Sequence, residues 1–377
     1  MKLHIRLLCC LTLLTVFLVG CNPTTRASQT AADSDSSATE GLSLHFIDVG
    51  EGDATLLVCD GETMLVDGGG RNCSSLMYAY LEKQGIKHLN YIVCTHPHED
   101  HIGGLPGALN YATVDTALCS TEYYESEPFQ DFVKYLTKQG KSITVPKTGD
   151  QFWLGDANVE VLGPINNNDD LNNMSLVLRL TYGDVSFLLS ADMEKDEEQD
   201  LIDSDYDLDS TVLRVGHHGS STSTSQAFLE RVNPSFAVIS VGKNPYGHPA
   251  TEVLNLLAEN DVEIYRTDLQ GDIICNSDGV TVSFDLPPTE WTIQKVQPTE
   301  TEIKPIVPAV TPTDNEDPVI ERTVTESSYV LNTNTRKFHY PSCDSADDIK
   351  PKNSQDFTGS RDELIAKGFT PCQRCNP

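Results

Sequence analysis

Short apolar runs recur along most of the chain, separated by stretches whose apolar residues fall three and four apart. The runs at residues 44–49, 54–58, 64–66 and 89–94 are too short for helices and are bounded by Gly, Asp and Asn, so they predict strands. Further strands are expected at 114–118, 159–162, 176–178, 185–192, 211–215 and 236–241. Residues 74–84 and 128–139 carry the periodicity of amphipathic helices, and another helix is expected from Glu194 onward. Alternating strands and helices imply a layered α/β domain over residues 42–286 whose strand ends carry any site.

The flanks break this pattern. Lys2 and Arg6 lead into an apolar run from Leu7 to Leu18, too short to span a bilayer, so residues 1–20 predict a signal peptide. The sequence Leu18-Val19-Gly20-Cys21 resembles the bacterial lipobox. That implies a lipidated Cys21 and an exported protein anchored to the outer face of a membrane. Residues 21–41 are Ser, Thr, Ala and Asp and read as a flexible tether. Residues 287–327 are rich in Pro, Thr and Glu and read as an extended linker. Residues 328–377 form a third region with seven Lys/Arg against six Asp/Glu, whereas the whole chain has 26 against 56. A net charge of −30 excludes a broad nonspecific grip on nucleic acid, which needs a basic face.

Candidate chemistry concentrates where the run at 89–94 stops, at Thr95-His96-Pro97-His98-Glu99-Asp100-His101. Three imidazoles and a carboxylate packed this closely need partners, and divalent cations supply them. Pro97 keeps the stretch from becoming a helix, so the ligands are expected to fan out from a loop. His96 and His98 are then assigned to one metal, and Asp100 and His101 to a second. Asp192, ending an apolar run, is expected to bridge the two. Gly216-His217-His218-Gly219 follows another strand; His217 is taken as the ligand on the second metal and His218 as an outer residue or proton donor, with the two interchangeable. His248 also lies beyond a strand end, placed to hold substrate or carry protons. Asp67, in Asp67-Gly68-Gly69-Gly70, is expected to orient a ligand histidine from behind. Apart from His4, nine histidines remain, six of them in these loops; His45 and His88 fit ordinary strand or surface roles.

In order, Val49-Gly50-Glu51-Gly52-Asp53, Asp67-Gly68-Gly69, the His-rich loop, Asn172-Asn173-Met174-Ser175, Ala191-Asp192, His217-His218-Gly219-Ser220 and Tyr246-Gly247-His248-Pro249 resemble the metallo-β-lactamase superfamily. Within it they are most similar to the β-lactamase-like domain of ComEC competence proteins, and also to the pneumococcal phosphorylcholine esterase. The resemblance implies an αββα sandwich holding two divalent ions, zinc or manganese, with no organic cofactor. It implies catalytic roles for Asp100, His218 and His248, and supporting roles for Asn173 and Ser175. Two departures stand out: Glu51 replaces the usual Gln, and no histidine occupies the third motif at residues 172–175. ComEC-like proteins share that lack, which weakens a β-lactamase reading.

In the last region His339-x3-Cys343 and Cys372-x2-Cys375 fit one tetrahedral structural zinc, and a segment this short needs such a staple. It resembles the zinc-binding domain of the Ada repair protein, with His339 where that family has the methyl-accepting cysteine, so alkyl transfer is not expected. Arg336, Lys337 and Arg374 are candidate contacts to DNA. The favoured function is hydrolysis of a phosphodiester by a water activated between two metals, as a surface nuclease. The alternatives are a phosphodiesterase acting on phosphorylcholine or teichoic-acid decorations, and a non-catalytic, metal-stabilised DNA-binding or uptake module. Oligomeric state is not legible in the sequence.

Overall fold

The computed structural model describes residues 41–294 and most of residues 327–372. The chain divides into two compact units between Thr299 and Glu300.

The large unit begins with strands β1 (Leu42–Phe46), β2 (Thr55–Cys59), β3 (Glu62–Val66), β4 (His88–Cys94), β5 (Thr113–Cys119) and β6 (Ile143–Thr144). Strands β7 (Gln151–Leu154), β8 (Ala157–Gly163), β9 (Val177–Tyr182), β10 (Val185–Leu189), β11 (Val212–Arg214), β12 (Phe236–Ile239) and β13 (Glu263–Arg266) then build a second, seven-stranded sheet. The chain returns to the first sheet through β14 (Ile273–Ser277) and β15 (Val282–Phe284), giving the order β15-β14-β1-β2-β3-β4-β5-β6. The second sheet runs β13-β12-β11-β10-β9-β8-β7, with β10 to β13 parallel.

Alternation along the strands decides the layers. One set of side chains, including Phe46, Leu57, Val66, Leu180, Phe187 and Val238, fills the space between the two sheets. On the outer face of the first sheet, Leu56, Leu65 and Ile92 pack against helices α1 (Ser74–Gln84), α3 (Leu105–Tyr111) and α4 (Glu127–Lys138). On the outer face of the second, Leu188, Leu213 and Ile239 pack against α5 (Lys195–Asp203), α6 (Gln226–Val232) and α7 (Thr251–Glu259). Single turns α2 (Glu99–Ile102) and α8 (Thr267–Gln270) complete an αββα sandwich.

Two expectations need correction. The His-rich stretch is a loop only as far as His98, and Asp100 and His101 sit on α2. A new turn begins two residues after Pro97, with the acidic Glu99 and Asp100 in its first turn, the end that favours negative charge. Part of the linker is also docked. Trp291 Nε1 donates to Asn255 Oδ1 at 3.0 Å, Asn255 Nδ2 donates to Gln294 O at 2.7 Å, and Thr289 N donates to Ile264 O at 2.7 Å. Residues 287–294 therefore belong to the large unit. Among the described residues no helix is long and apolar enough to cross a membrane.

The small unit contains a four-stranded sheet of β16 (Ser327–Asn332), β17 (Lys337–His339), β18 (Ser354–Gly359) and β19 (Thr370–Pro371), in the order β18-β16-β17-β19. Tyr329, Leu331, Phe338 and Leu364 form its core.

Candidate metal centre

The cluster assembles at strand ends of both sheets. His96 and His98 follow β4, and Asp100 and His101 follow on α2; Asp192 follows β10, and His217 and His218 follow β11. Close backbone approach makes this possible. A Cβ on Gly104 would lie 1.9 Å from Gly68 O, and one on Gly52 would lie 2.4 Å from Asp100 O, so neither position admits a side chain.

Asp192 is the meeting point. Its Oδ2 lies 3.2 Å from His101 Nε2 and 3.8 Å from both His96 Nε2 and His217 Nε2, while its Oδ1 lies 3.6 Å from His218 Nε2. His218 Nε2 is also 3.4 Å from Asp100 Oδ2. Asp100, His101, Asp192 and His218 offer ligand atoms all within 4.8 Å of one another. His96 Nε2 and His98 Nδ1 stand 3.0 Å apart beside this group.

The structure thus brings His218, rather than His217, into the tight group, correcting the sequence assignment. Both residues adopt left-handed backbone, φ 48° and 54°, which turns successive side chains apart. His218 is buried with Nδ1 against Ser240 O at 2.9 Å, whereas the less buried His217 stands at the edge of the group with Nδ1 3.0 Å from Glu194 Oε1.

Each inward nitrogen is aimed from behind. Asp67 accepts from Thr95 N and Thr95 Oγ1, both at 2.8 Å, and stands 3.0 Å from His101 Nδ1. His96 Nδ1 faces Thr95 Oγ1 at 3.2 Å and Ser175 Oγ at 3.4 Å; Ser175 Oγ also accepts from Asp192 N. Asn173 Oδ1 accepts from Glu194 N at 2.9 Å and Glu197 N at 3.3 Å, fixing the loop after Asp192. A hydrogen bond to one ring nitrogen leaves the other bare for a metal.

The fit to divalent cations can be judged from what the protein leaves unsatisfied. His101 Nε2, His218 Nε2 and Asp192 Oδ1 are buried without a hydrogen-bond partner among the described residues, although all point into one space. Charge tells the same story. Burial lowers His101, but Asp192, Asp67 and Asp100 outweigh it and hold the ring well above the usual imidazole range. His218 is likewise desolvated yet lifted to about 10, chiefly by Asp192. Burial opposes ionisation of Asp192, and His101, His218 and His217 reverse that and hold it well below the carboxylate range. His96, without comparable carboxylate support, is held well below its usual value by burial. The cluster therefore favours positive charge, and its nitrogen and oxygen donors fit divalent cations.

Three contributors were not singled out from the sequence. Asp53 is buried behind His101 and His218, with carboxylate oxygens 3.8 and 3.9 Å from their Nδ1 atoms, and it forms an ion pair with the wholly buried Arg214. Glu194 anchors His217. Glu51, noted only as a departure, holds His248 Nδ1 at 2.9 Å, and the His248 ring centroid stands 5.4 Å from that of His217.

In the small unit, ligand atoms of His339, Cys343 and Cys372 lie within 4.8 Å of one another and are buried. The expected fourth ligand, Cys375, lies outside the described residues, as do Arg374 and Cys21. Arg336 packs over the Phe369 ring at 4.5 Å. Among the described residues the other cysteines, Cys59, Cys73, Cys94, Cys119 and Cys275, are free and buried.

Comparison with known proteins follows the geometry. The chain is 31% identical to ComE operon protein 3 of Bacillus subtilis (strain 168) over 248 residues, 60% of this chain and 32% of that protein. It is 30% identical to competence protein ComA of Neisseria gonorrhoeae over 229 residues, 59% of this chain and 30% of that one. It is 32% identical to recombination protein 2 of Haemophilus influenzae over 238 residues, 61% and 28% of the two chains. The chain thus spans about a third of the length of these relatives. The family model for the metallo-beta-lactamase superfamily matches residues 47–243, just over half of the chain and the part that carries every residue of the tight group. On that match and the sandwich that frames it, the chain belongs to the metallo-beta-lactamase superfamily.

Proposed function

We propose that the protein is a metal-dependent phosphodiesterase, a nuclease acting on DNA outside the cell that made it. The observation that carries this reading is the convergence of bare, buried ligand atoms on Asp192. His96, His98 and Asp192 would hold one divalent ion and Asp100, His101 and His218, with Asp192, a second. Such ions would supply an activated water and a positive seat for an anionic phosphodiester. Asp67, Ser240 O and the Thr95 and Ser175 hydroxyls keep ring protons on the far side of His101, His218 and His96. His218, expected as an outer residue or proton donor, lies inside the ligand group with Asp100, which leaves His248 to carry protons. In its protonated form the His248 ring donates Nδ1–H to Glu51 and presents Nε2–H, whose proton can pass to the leaving oxygen. Relatives named for competence and for recombination support a nucleic-acid substrate. Export and a lipid anchor at Cys21 complete the proposal; a Cys21→Ser variant is expected in the soluble fraction.

The second reading, an esterase for phosphorylcholine groups of the envelope, is favoured by the net charge of −30, which suits a cationic headgroup. The test offers purified protein with manganese or zinc to single-stranded DNA, duplex DNA and nitrophenyl-phosphorylcholine. Cleavage of DNA that chelator and Asp192→Ala both abolish supports the proposal. Cleavage of the choline ester alone replaces it with the second reading.

A further inference from the structure

Asp53 lies behind the second of the two ligand sets, on the side of the ring nitrogens that do not face the cluster. Its Oδ2 stands 3.8 Å from His101 Nδ1 and its Oδ1 stands 3.9 Å from His218 Nδ1, so one carboxylate faces both imidazoles of that set. His101 follows a strand of the first sheet and His218 a strand of the second. Their ring centroids are 5.5 Å apart with the planes tilted by 34°. Asp67 orients His101 and Ser240 O orients His218, each from its own side, whereas Asp53 stands between the two rings.

The carboxylate is itself held from several directions. Arg214, the last residue of β11, pairs with Oδ2. Asp53 N donates to Asp100 O at 3.2 Å, and Asp53 O accepts from Gly69 N at 2.8 Å. Gly52, at φ 137° and with Asp100 O in the space a Cβ would fill, lets the chain come this close. Arg214 and Asp53 are both buried, and Arg214 Nε and Nη1 find no partner among the described residues. A buried pair contributes little over apolar side chains of the same volume, and two idle donors cost the fold further. Its use lies at the site.

We infer that Asp53, held by Arg214, is a positioning residue that fixes the separation of His101 and His218 and thereby sets the affinity of the second ion. The inference rests on the ligand sets proposed above and on no property of the substrate. An amide in this place keeps the shape but offers one acceptor oxygen to three facing groups, the guanidinium and the two ring nitrogens. Groups behind metal-binding histidines are worth about 10- to 100-fold in metal affinity.

The test titrates manganese into the metal-stripped full chain and reads the free ion by electron paramagnetic resonance. Manganese prefers oxygen and nitrogen donors, which keeps the cysteine-bearing group of the small unit out of the count. Wild type is expected to show two binding steps. Asp53→Asn is expected to weaken one of them by roughly 10- to 100-fold and to leave the other unchanged. Asp53→Asn/Arg214→Leu removes the stranded guanidinium, so its urea midpoint should return towards wild type while the weakened step stays weak; this variant carries the test if Asp53→Asn does not fold. Two steps unmoved by either variant overturn the inference alone. A double variant that regains both stability and wild-type affinity also overturns it, because the pair then supports only the fold. A single step in wild type removes the two-ion assignment and the inference with it. No substrate enters the measurement, so failure to cleave DNA, read in its own assay, is a separate result.

Discussion

Replacing Arg214 with Leu tests the idea that a buried ion pair braces the metal site from below. Arg214 is wholly buried, its one hydrogen bond among the described residues goes to Asp53, and its Nε and Nη1 find no partner there. Burial already raises the Asp53 carboxyl above its usual range, with Arg214 the largest opposing influence. Removing the guanidinium strands a carboxylate in a dry interior, a loss of about 3–5 kcal/mol for pairs of this kind. Protonation caps the cost: keeping an Asp neutral at pH 7 against an ordinary value near 3.9 takes about 4 kcal/mol, falling by about 1.4 kcal/mol per pH unit on acidification. The expected deficit is therefore about 3–4 kcal/mol at pH 7 and roughly half that at pH 5. Urea unfolding followed by tryptophan fluorescence, with chelator present, measures it cleanly, because the only two tryptophans, Trp153 and Trp291, both lie in the large unit. The double variant Asp53→Asn/Arg214→Leu should recover most of the loss. A deficit below about 1 kcal/mol at pH 7, or one that does not shrink at pH 5, refutes the reasoning.

Further outcomes follow from the same structure. Glu197 is buried, accepts from Ile165 N at 2.8 Å, and is pushed up by desolvation to about 8. Its folded value lies above its unfolded one, so its contribution is fully present below about pH 4.5 and is lost as pH rises through 8, at about 1.4 kcal/mol per unit in between. Glu197→Gln should flatten that slope in urea midpoints at pH 5 and 8; an unchanged slope rejects the assignment. The surrounding carboxylates hold the His101 and His218 rings above the usual imidazole range, so metal loading is expected to release protons. Titration calorimetry in buffers of different ionisation enthalpy should register at least one proton per loaded site, and zero release would contradict the charge account. Asn244→Ala removes five hydrogen bonds from one loop and should lower kcat/KM for DNA by roughly tenfold or more through misplacement of His248. An unaffected rate in that variant would show that the loop needs no brace. For the small unit, His339→Ala should lower bound zinc by one equivalent per chain in elemental analysis, and full retention would exclude His339 as a ligand.

Much of the site was legible because it obeys local rules. The apolar run at 89–94 had to stop before Pro97, and the run ending at Leu189 had to deliver Asp192 to a strand end. Which of two adjacent histidines faces inward was not legible, since it depends on a left-handed backbone at His217 and His218 that no periodicity encodes. Nor was the pairing of Asp53 with Arg214, 161 residues apart, because Arg214 in a short strand reads like any basic residue. The distribution of strands between two sheets escaped for the same reason, as β14 and β15 rejoin the first sheet only after the second is complete. Residues 287–294 resemble the spacer that follows them in composition; the lone Trp291 was the available sign that they dock.

The candidate ligands come from both sheets: His96, His98, Asp100 and His101 lie beyond a strand of one, Asp192 and His218 beyond strands of the other. Asp192 and His101 come from different layers, so the cluster is assembled only when the two layers have closed face to face. During synthesis the cluster stays incomplete until the ribosome has passed β11, and a chain that misaligns its layers never assembles it.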